Sequence, residues 1–140
     1  MDSQRLEGKN ILITGAARGM GAANAEYFAE QGANVCLGDL NLDEAQEVAD
    51  RINAAGNGKA IAVKMDVTKR EDNAAAVAAV VDAFGEINVG LFNAGLNKPR
   101  FFMDIDEDNW DLIMNVNTKA MWLGMQATAR PMIAQGKRDY

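Results

Sequence analysis

The sequence predicts an α/β fold in which a doubly wound parallel sheet carries helices on both faces. Short β-branched runs alternate with longer helical segments along the chain, which is typical of βαβ units. The first of these runs is apolar throughout, as in strands buried on both faces. Right-handed crossovers would order four such strands 3-2-1-4. At 140 residues, the chain is expected to form one domain.

The first half of the chain is predicted to contain three strands and two helices. Gly32 follows the first helix as a left-handed cap, and the spacing of Asn41 and Glu44 is that of a helix start. The predicted elements are strand one at Asn10–Thr14, a helix at Met20–Gln31, strand two at Asn34–Asp39, a helix from Asn41 to about Ala55, and strand three at Ala60–Met65.

The second half is predicted to add one strand and two helices. Thr68 and Glu71 have capping-box spacing and open a helix that runs through Phe84. Strand four follows at Ile87–Phe92. Asp106 then caps a long helix, residues 106–135, with a bend near Pro131. Four strands leave strand four as an edge, so we expect the chain to be the N-terminal part of a longer protein.

Composition argues against several classes of protein. The net charge of −6 offers no basic face for nucleic acid, and no apolar run is long enough for a membrane helix. The polar N-terminus is unlike a secretory signal, so we expect a cytoplasmic protein. The sequence has no histidine, which excludes Ser-His-Asp triads and HExxH zinc sites, and we expect no metal site.

A glycine-rich segment, Thr14–Gly21, lies between the first strand and the first helix. Gly15 allows a sharp turn, Gly19 removes a Cβ where a ligand must approach the backbone, and Gly21 lets helix pack on sheet. The helix start offers unpaired amides and a positive dipole end to a pyrophosphate. The segment therefore predicts a dinucleotide site that includes Arg18 and Met20; a turn that only connects strand to helix is the alternative.

Asp39 is the predicted ribose-binding acid. It ends strand two, 18 residues after Gly21, close to the offset expected for a carboxylate that binds a ribose 2′-hydroxyl. Such a carboxylate favours NAD over NADP because it repels a 2′-phosphate. Arg18 could pair with that phosphate, but the residue after Asp39 is Leu40, which is also expected at the cofactor site and is not a second base. The alternative is an Asp that caps a turn, a role for which Asn41 is available.

Four motifs together resemble the short-chain dehydrogenase/reductase family over essentially the whole chain. They are the Gly-x3-Gly-x-Gly spacing of Thr14–Gly21, the pair Asp66 and Val67, the triplet Asn93, Ala94 and Gly95, and Asn117 within Met114–Asn117. The resemblance implies a Rossmann-like fold and hydride transfer between NAD and a small alcohol or carbonyl substrate.

The resemblance also implies roles for single residues. Asp66 and Val67 would hold the adenine, although Asp66 could instead be a local turn acid. The triplet Asn93–Gly95 would steady the sheet beside the cofactor ribose. Many members have Asn before this triplet, where the chain has Phe92, so packing should differ there.

Asn117 matches the family asparagine whose backbone carbonyl holds a water of the proton relay. Asn115 is the competing candidate, and an Asn facing solvent is the other alternative.

Four methionines of the long helix lie within about 40° of one another on a helical wheel. They are Met114, Met121, Met125 and Met132. We expect core or subunit-interface packing rather than a cofactor contact. In the family this helix commonly packs on a second subunit, so a homo-oligomer is expected. Trp122 would lie beside the four methionines at that interface. Cys36 is expected in the core.

The family's catalytic serine and its Tyr-x3-Lys signature do not occur in the 140 residues. Ser3 lies in the polar N-terminus, Tyr27 is followed four residues later by Gln31, and Tyr140 is the last residue. We expect this chain alone to be inactive and the longer protein to be an NAD-dependent dehydrogenase. A non-catalytic nucleotide-binding or regulatory module is the alternative. A methyltransferase would leave Asn93–Gly95 and Asn117 without a role.

Overall fold

Four parallel strands form one sheet in the order β3-β2-β1-β4, which confirms the predicted fold class and strand order. The structure is a computed structural model that describes residues 4–136, so Ser3 and Tyr140 lie outside the described residues. The strands are β1 (Asn10–Thr14), β2 (Asn34–Asp39), β3 (Ala60–Lys64) and β4 (Val89–Phe92). Strands three and four are shorter than predicted, and β4 is an edge of this sheet.

Five α-helices connect and follow the strands. They are α1 (Gly19–Glu30), α2 (Leu42–Ala55), α3 (Arg70–Phe84), α4 (Glu107–Met114) and α5 (Ala120–Gln135). A π-helical turn, Asn115–Lys119, joins α4 to α5, and a short 3-10 turn, Phe102–Asp104, precedes α4. In the described part of the chain, no helix is long and apolar enough to cross a membrane.

The strands bury both of their faces. Ile11, Ile13 and Leu37 pack with α1 and α2 on one face, while Leu12 and Cys36 pack with α3 and α5 on the other. Successive strand residues point to opposite faces, so each strand of the centre must be apolar throughout. Cys36 is in the core as predicted, and its burial raises the pKa of the thiol to about 12.

Gly32 follows α1 with φ +89°, as predicted for its C-terminal cap, and two of the three predicted N-terminal caps are also confirmed. The Asn41 side chain accepts a hydrogen bond from the Glu44 amide, and Asp106 accepts one from the Asn109 amide. The prediction that Thr68 caps α3 is wrong. Helix α3 begins at Arg70, and the Thr68 hydroxyl donates to Asp66 Oδ1 (2.6 Å). The Thr68 hydroxyl therefore bonds the carboxylate of Asp66, two residues earlier, and does not accept from a backbone amide of α3.

The long helix has an irregularity that was not predicted. Hydrogen bonding changes to the π pattern at Asn115–Lys119, whereas α5 continues past Pro131 to Gln135. A π turn inserts one residue into the helical repeat and often marks a functional position. This turn contains Asn117.

Phe92, the departure from the family pattern, fills space left by two glycines. A Cβ on Gly90 would lie 2.7 Å from Cζ of the Phe92 ring, and a Cβ on Gly124 would lie 2.5 Å from its Cε1. The ring is thus held between β4 and α5. Two neighbouring positions without side chains explain how the sheet accepts an aromatic residue here.

We predict that Gly124→Ala destabilises the protein by about 1–3 kcal/mol, because the new methyl group overlaps the Phe92 ring. In a helix without this contact, the same change would stabilise by about 1 kcal/mol. Urea unfolding of Gly124→Ala in the wild-type and Phe92→Ala backgrounds separates the two effects. A Gly124→Ala variant more stable than the wild type would contradict the packing.

Candidate functional site

A cleft of about 420 Å³ opens at the carboxyl edge of the sheet, where open α/β sheets bind ligands. The ends of β1, β2 and β4 meet there in register, with Thr14 beside Gly38 and Phe92. Ten predicted site residues line the cleft: Gly15, Arg18, Met20, Asp39, Leu40, Asp66, Val67, Asn93, Ala94 and Gly95. Gly19, Gly21 and Asn117 are not among the lining residues, although Gly19 lies between Arg18 and Met20, which are.

The glycine-rich segment forms a tight turn between β1 and α1. Gly15 has φ +64°, and a Cβ there would lie 2.8 Å from the Ala94 Cα. Gly21 is buried, where a Cβ would overlap the Gly15 carbonyl. Gly19 has φ +59° and open space where a Cβ would be. Gly15 thus allows the turn to pack against Ala94, and Gly21 allows α1 to pack against Gly15. At Gly19 no side chain covers the backbone of the turn.

Helix α1 begins without a partner for its first amides. Its N-cap, Arg18, makes no side-chain cap, and its first turn has no acidic residue. By contrast, Asn41 caps α2 and Asp106 caps α4, and both of those first turns are acidic. Uncapped amides at the positive end of a helix fit an anion such as a diphosphate.

The loop after β4 is tied to the glycine-rich turn by three hydrogen bonds. The side-chain Nδ2 of Asn93 donates to the backbone carbonyls of Thr14 (3.2 Å) and Gly15 (3.1 Å). The Ala94 backbone amide donates to the Thr14 hydroxyl (3.1 Å). Asn93 and Ala94 therefore hold the turn in place at the floor of the cleft.

Asp39 is half-buried at the end of β2, beside the turn. Its Oδ2 accepts from the Ala17 amide (3.1 Å), and its Oδ1 accepts from the Asn41 amide (2.9 Å). Through its bond with the Asn41 amide, the Asp39 carboxylate caps the turn that follows β2, and the Asn41 side chain separately caps α2. It also lines the cleft, so the two interpretations of the sequence are compatible.

Asp66 lies two residues beyond the end of β3, because the strand ends at Lys64 and not at the predicted Met65. Its Oδ1 accepts from the hydroxyl and the backbone amide of Thr68. The hydroxyl bond is the largest cause that holds the pKa of Asp66 below its usual value, with the Thr68 amide and the Lys69 charge in support. Asp66 is thus a turn acid that also lines the cleft as an ionised carboxylate.

Two side chains of α3 that sequence reasoning missed hold this turn. Asp72 Oδ2 accepts from the Asp66 amide (2.8 Å). The buried Asn73 donates to the carbonyls of Val67 (2.9 Å) and Lys69 (2.8 Å). A polar residue on the inner face of an apolar helix was the available signal for Asn73.

Asn117 bonds the loop that follows Gly95. Its Oδ1 accepts from the Leu96 amide (2.9 Å), and its Nδ2 donates to the Leu96 carbonyl (2.8 Å). The side chain therefore pairs with Leu96 as a neighbouring strand would, while Asn115 is exposed. This geometry favours Asn117 over Asn115 as the residue with a structural partner.

Three further residues line the cleft: Met65, Leu96 and Val116. Each is adjacent in sequence to a predicted site residue, and each adds apolar surface. Met65 is fully buried and fills the space next to Gly38, where a Cβ would overlap its sulfur. Sequence adjacency alone could have indicated these three, because the carboxyl edge brings whole loops and not single residues to the cleft.

Apolar side chains are exposed on the long helix and the loop before it. Met114, Met121 and Met125 are 37%, 39% and 50% exposed, whereas Met132 packs against the part of the core that contains Leu12 and Cys36. Trp122 is half exposed, with the Arg70 guanidinium 5.1 Å from its ring centre. Three of these four methionines are therefore on the surface, and Met132 is part of the core. Phe101 and Phe102 are exposed on the loop and do not line the cleft.

A family model described as short chain dehydrogenase matches residues 9–138 of this chain. A 2,5-dichloro-2,5-cyclohexadiene-1,4-diol dehydrogenase of Sphingobium indicum is 40% identical over 134 residues, which are 96% of this chain and 53% of that protein. A trans-4-hydroxycyclohexanecarboxylate dehydrogenase of Sinomonas cyclohexanicum is 40% identical over 96% of this chain and 54% of its own length.

A solved short chain dehydrogenase structure from Mycobacterium smegmatis superposes with a TM-score of 0.88 at 30% identity, covering 91% of this chain and 54% of that one. The chain spans about half the length of the relatives that it matches. The matched residues include the turn, the cleft and the long helix. The chain therefore belongs to the short-chain dehydrogenase family.

Proposed function

We propose that this chain binds NAD(H) and forms the nucleotide-binding part of an enzyme that transfers a hydride between that cofactor and an alcohol or ketone. The observation that carries the proposal is the uncapped start of α1 beside the Asp39 carboxylate, both at one cleft. A dinucleotide offers an anionic diphosphate next to a ribose diol. The cleft offers amide donors next to an anionic acceptor, in the matching order.

The remaining contacts of the cofactor can be assigned to the same edge. Asp66 has Oδ1 engaged by Thr68, which leaves Oδ2 to accept from the adenine amino group. Leu40 and Val67 supply apolar surface for the base. Gly19 and Met20 would lie against the diphosphate, and Asn93–Gly95 would lie under the nicotinamide ribose. When bound, the nicotinamide supplies the hydride acceptor or donor.

Asp39 favours NAD over NADP in this proposal. A 2′-phosphate carries about two negative charges at neutral pH, and it would meet a carboxylate that offers only acceptors. Arg18 lines the same cleft and could offset part of that repulsion. Leu40 offers no second cation, so the balance favours the unphosphorylated cofactor.

Asn117 is the residue of the reaction path that this chain contributes. Its side chain pairs with Leu96 through both Oδ1 and Nδ2, and its backbone carbonyl is the group proposed to hold a water of a proton relay. The π turn supports this role because it disturbs the regular pairing of helix carbonyls. No Tyr-x3-Lys occurs in the 140 residues, so this chain does not supply the tyrosine proton donor that the family resemblance implies.

The substrate is proposed as a secondary alcohol or its ketone. The names of two relatives specify ring alcohols, a third is a sorbitol dehydrogenase of Cereibacter sphaeroides, and a fourth is a 3-oxoacyl-[acyl-carrier-protein] reductase of Thermotoga maritima. A polyol or a 3-oxoacyl compound is therefore the class to test first.

A homo-oligomer is proposed through the helix at 106–135. Met121, Trp122 and Met125 form an exposed apolar strip on α5, which would be buried in a subunit interface.

A non-catalytic nucleotide-binding module is the second candidate. It is favoured by one observation: the cleft is built from residues of this chain, whereas the family's catalytic serine and Tyr-x3-Lys signature do not occur in its 140 residues. Binding without turnover is expected of this chain under both candidates, and the candidates differ in what the longer protein does.

We predict that the chain binds NADH at least about tenfold more tightly than NADPH, which corresponds to about 1.4 kcal/mol. The physical reason is the repulsion between Asp39 and the 2′-phosphate. Fluorescence titration of the reduced nicotinamide measures both dissociation constants. Equal affinities, or tighter binding of NADPH, would show that Arg18 and not Asp39 decides the preference.

Gly19→Ala is predicted to weaken NADH binding by about tenfold or more, because a methyl group in the open turn displaces the diphosphate from its charge-assisted amide bonds. Gly56→Ala is the matched control. Gly56 also has positive φ and open space around its Cβ position, so both variants carry similar backbone strain. Similar losses of affinity in the two variants would contradict a diphosphate at this turn.

Turnover is predicted to be undetectable when the chain is mixed with NAD and either a cyclic diol, sorbitol or a 3-hydroxyacyl thioester. The chain lacks the tyrosine and lysine needed to take the hydroxyl proton. Absorbance of NADH follows the reaction, and binding of NADH in the same sample is the positive control. NADH formation above the rate without protein would refute the prediction.

A further inference from the structure

Asp39 connects two segments that are distant in sequence. Its Oδ2 accepts from the buried amide of Ala17 in the glycine-rich turn, and its Oδ1 accepts from the amide of Asn41 at the start of α2. The neighbouring Ala16 amide donates to the Gly38 carbonyl (3.3 Å). Two consecutive amides of the turn are therefore held by two consecutive residues at the end of β2.

The hydrogen-bonding capacity of this carboxylate can be counted. An ionised carboxylate has about four acceptor positions, two on each oxygen. The Ala17 and Asn41 amides use one position on each oxygen. One position on each oxygen is left, which matches the two hydroxyl groups of a ribose.

We propose that Asp39 is a positioning residue for the glycine-rich turn as well as a ribose contact, so that diphosphate binding depends on it even when no ribose hydroxyl is present. The inference rests on the proposed function, because it concerns the same cleft. It adds a role that sequence position alone does not assign to Asp39.

The physical argument concerns the amide left behind when Asp39 is removed. Ala17 is only 7% exposed, so its N–H would lose its partner without gaining full access to water. A buried unpaired donor costs free energy, and the turn would shift to satisfy it. The amides of residues 19–21 follow directly in the chain. A shift of the turn therefore moves the groups that face the diphosphate.

The inference has a consequence for cofactor preference. Replacing Asp39 by a small apolar residue removes the repulsion of a 2′-phosphate, but it also releases the turn. Such a variant should lose NADH affinity without gaining strong NADPH binding. A replacement that still accepts from the Ala17 amide is needed to separate the two effects.

The test uses 2′,3′-dideoxy-ADP, which has the base and the diphosphate but neither ribose hydroxyl. Its affinity and that of NADH are measured by calorimetry for the wild type, Asp39→Ala and Asp43→Ala. Asp43 is the charge control: it is an exposed carboxylate in the first turn of α2, close to the same edge. Removing either negative charge should by itself favour an anionic ligand.

The two hypotheses predict opposite signs for Asp39→Ala. If Asp39 positions the turn, the dideoxy ligand binds about three- to tenfold more weakly than to the wild type, as expected for a lost hydrogen bond. If Asp39 acts only through ribose, that ligand binds as tightly as it does to Asp43→Ala, and the inference is overturned. A wild type that binds neither NADH nor the dideoxy ligand would instead refute the proposed function.

Asp39→Asn keeps the test decisive if the alanine variant does not fold. Its single carbonyl oxygen can serve only one of the two amides well, and Asp43→Asn is its control. Weaker binding of the dideoxy ligand to Asp39→Asn than to Asp43→Asn supports the inference, and equal or tighter binding overturns it. Hydrogen exchange of the Ala17 amide should accelerate in the same variant.

Discussion

The close packing of the turn after β1 against the loop after β4 is the constraint on which the candidate site depends. Gly15 has no side chain where the Ala94 backbone approaches, and Asn93 donates to the Thr14 and Gly15 carbonyls across the gap. These contacts set the direction in which α1 leaves the sheet. Arg18 and Met20 at the start of α1 line the same cleft as Asp39 and Asp66.

The sequence was sufficient to predict the parts of the fold that have strong periodicity. Strands β1 and β2 were predicted to the residue, because each is a short apolar run between polar boundaries. Of the ten lining residues, those of the glycine-rich segment, Asp39 and Leu40 could be predicted from their place at the carboxyl edge, whereas Asp66, Val67 and Asn93–Gly95 were predicted from the family resemblance. Their roles toward a cofactor follow from the family resemblance and are part of the proposal.

Contacts between loops could not be predicted, because they depend on which of several nearby partners a polar side chain reaches. Thr68 has the spacing of a helix cap, yet it donates to Asp66, and α3 instead contributes Asp72 and Asn73 to that turn. The π turn at Asn115–Lys119 leaves no mark in the hydrophobic pattern. Pro131, the visible signal for a bend, lies within a helix that continues past it.

The start of α1 shows how stability and binding compete at one place. A side-chain cap is worth about 1 kcal/mol to a helix, and acidic residues in the first turn add a smaller amount. Helices α2 and α4 have both features, and α1 has neither. A cap would satisfy the amides that an anion needs, and an acidic side chain would repel it. Helix α1 therefore lacks stabilisation that α2 and α4 have, and packing of Ala22, Ala25 and Ala29 on the sheet must hold it instead.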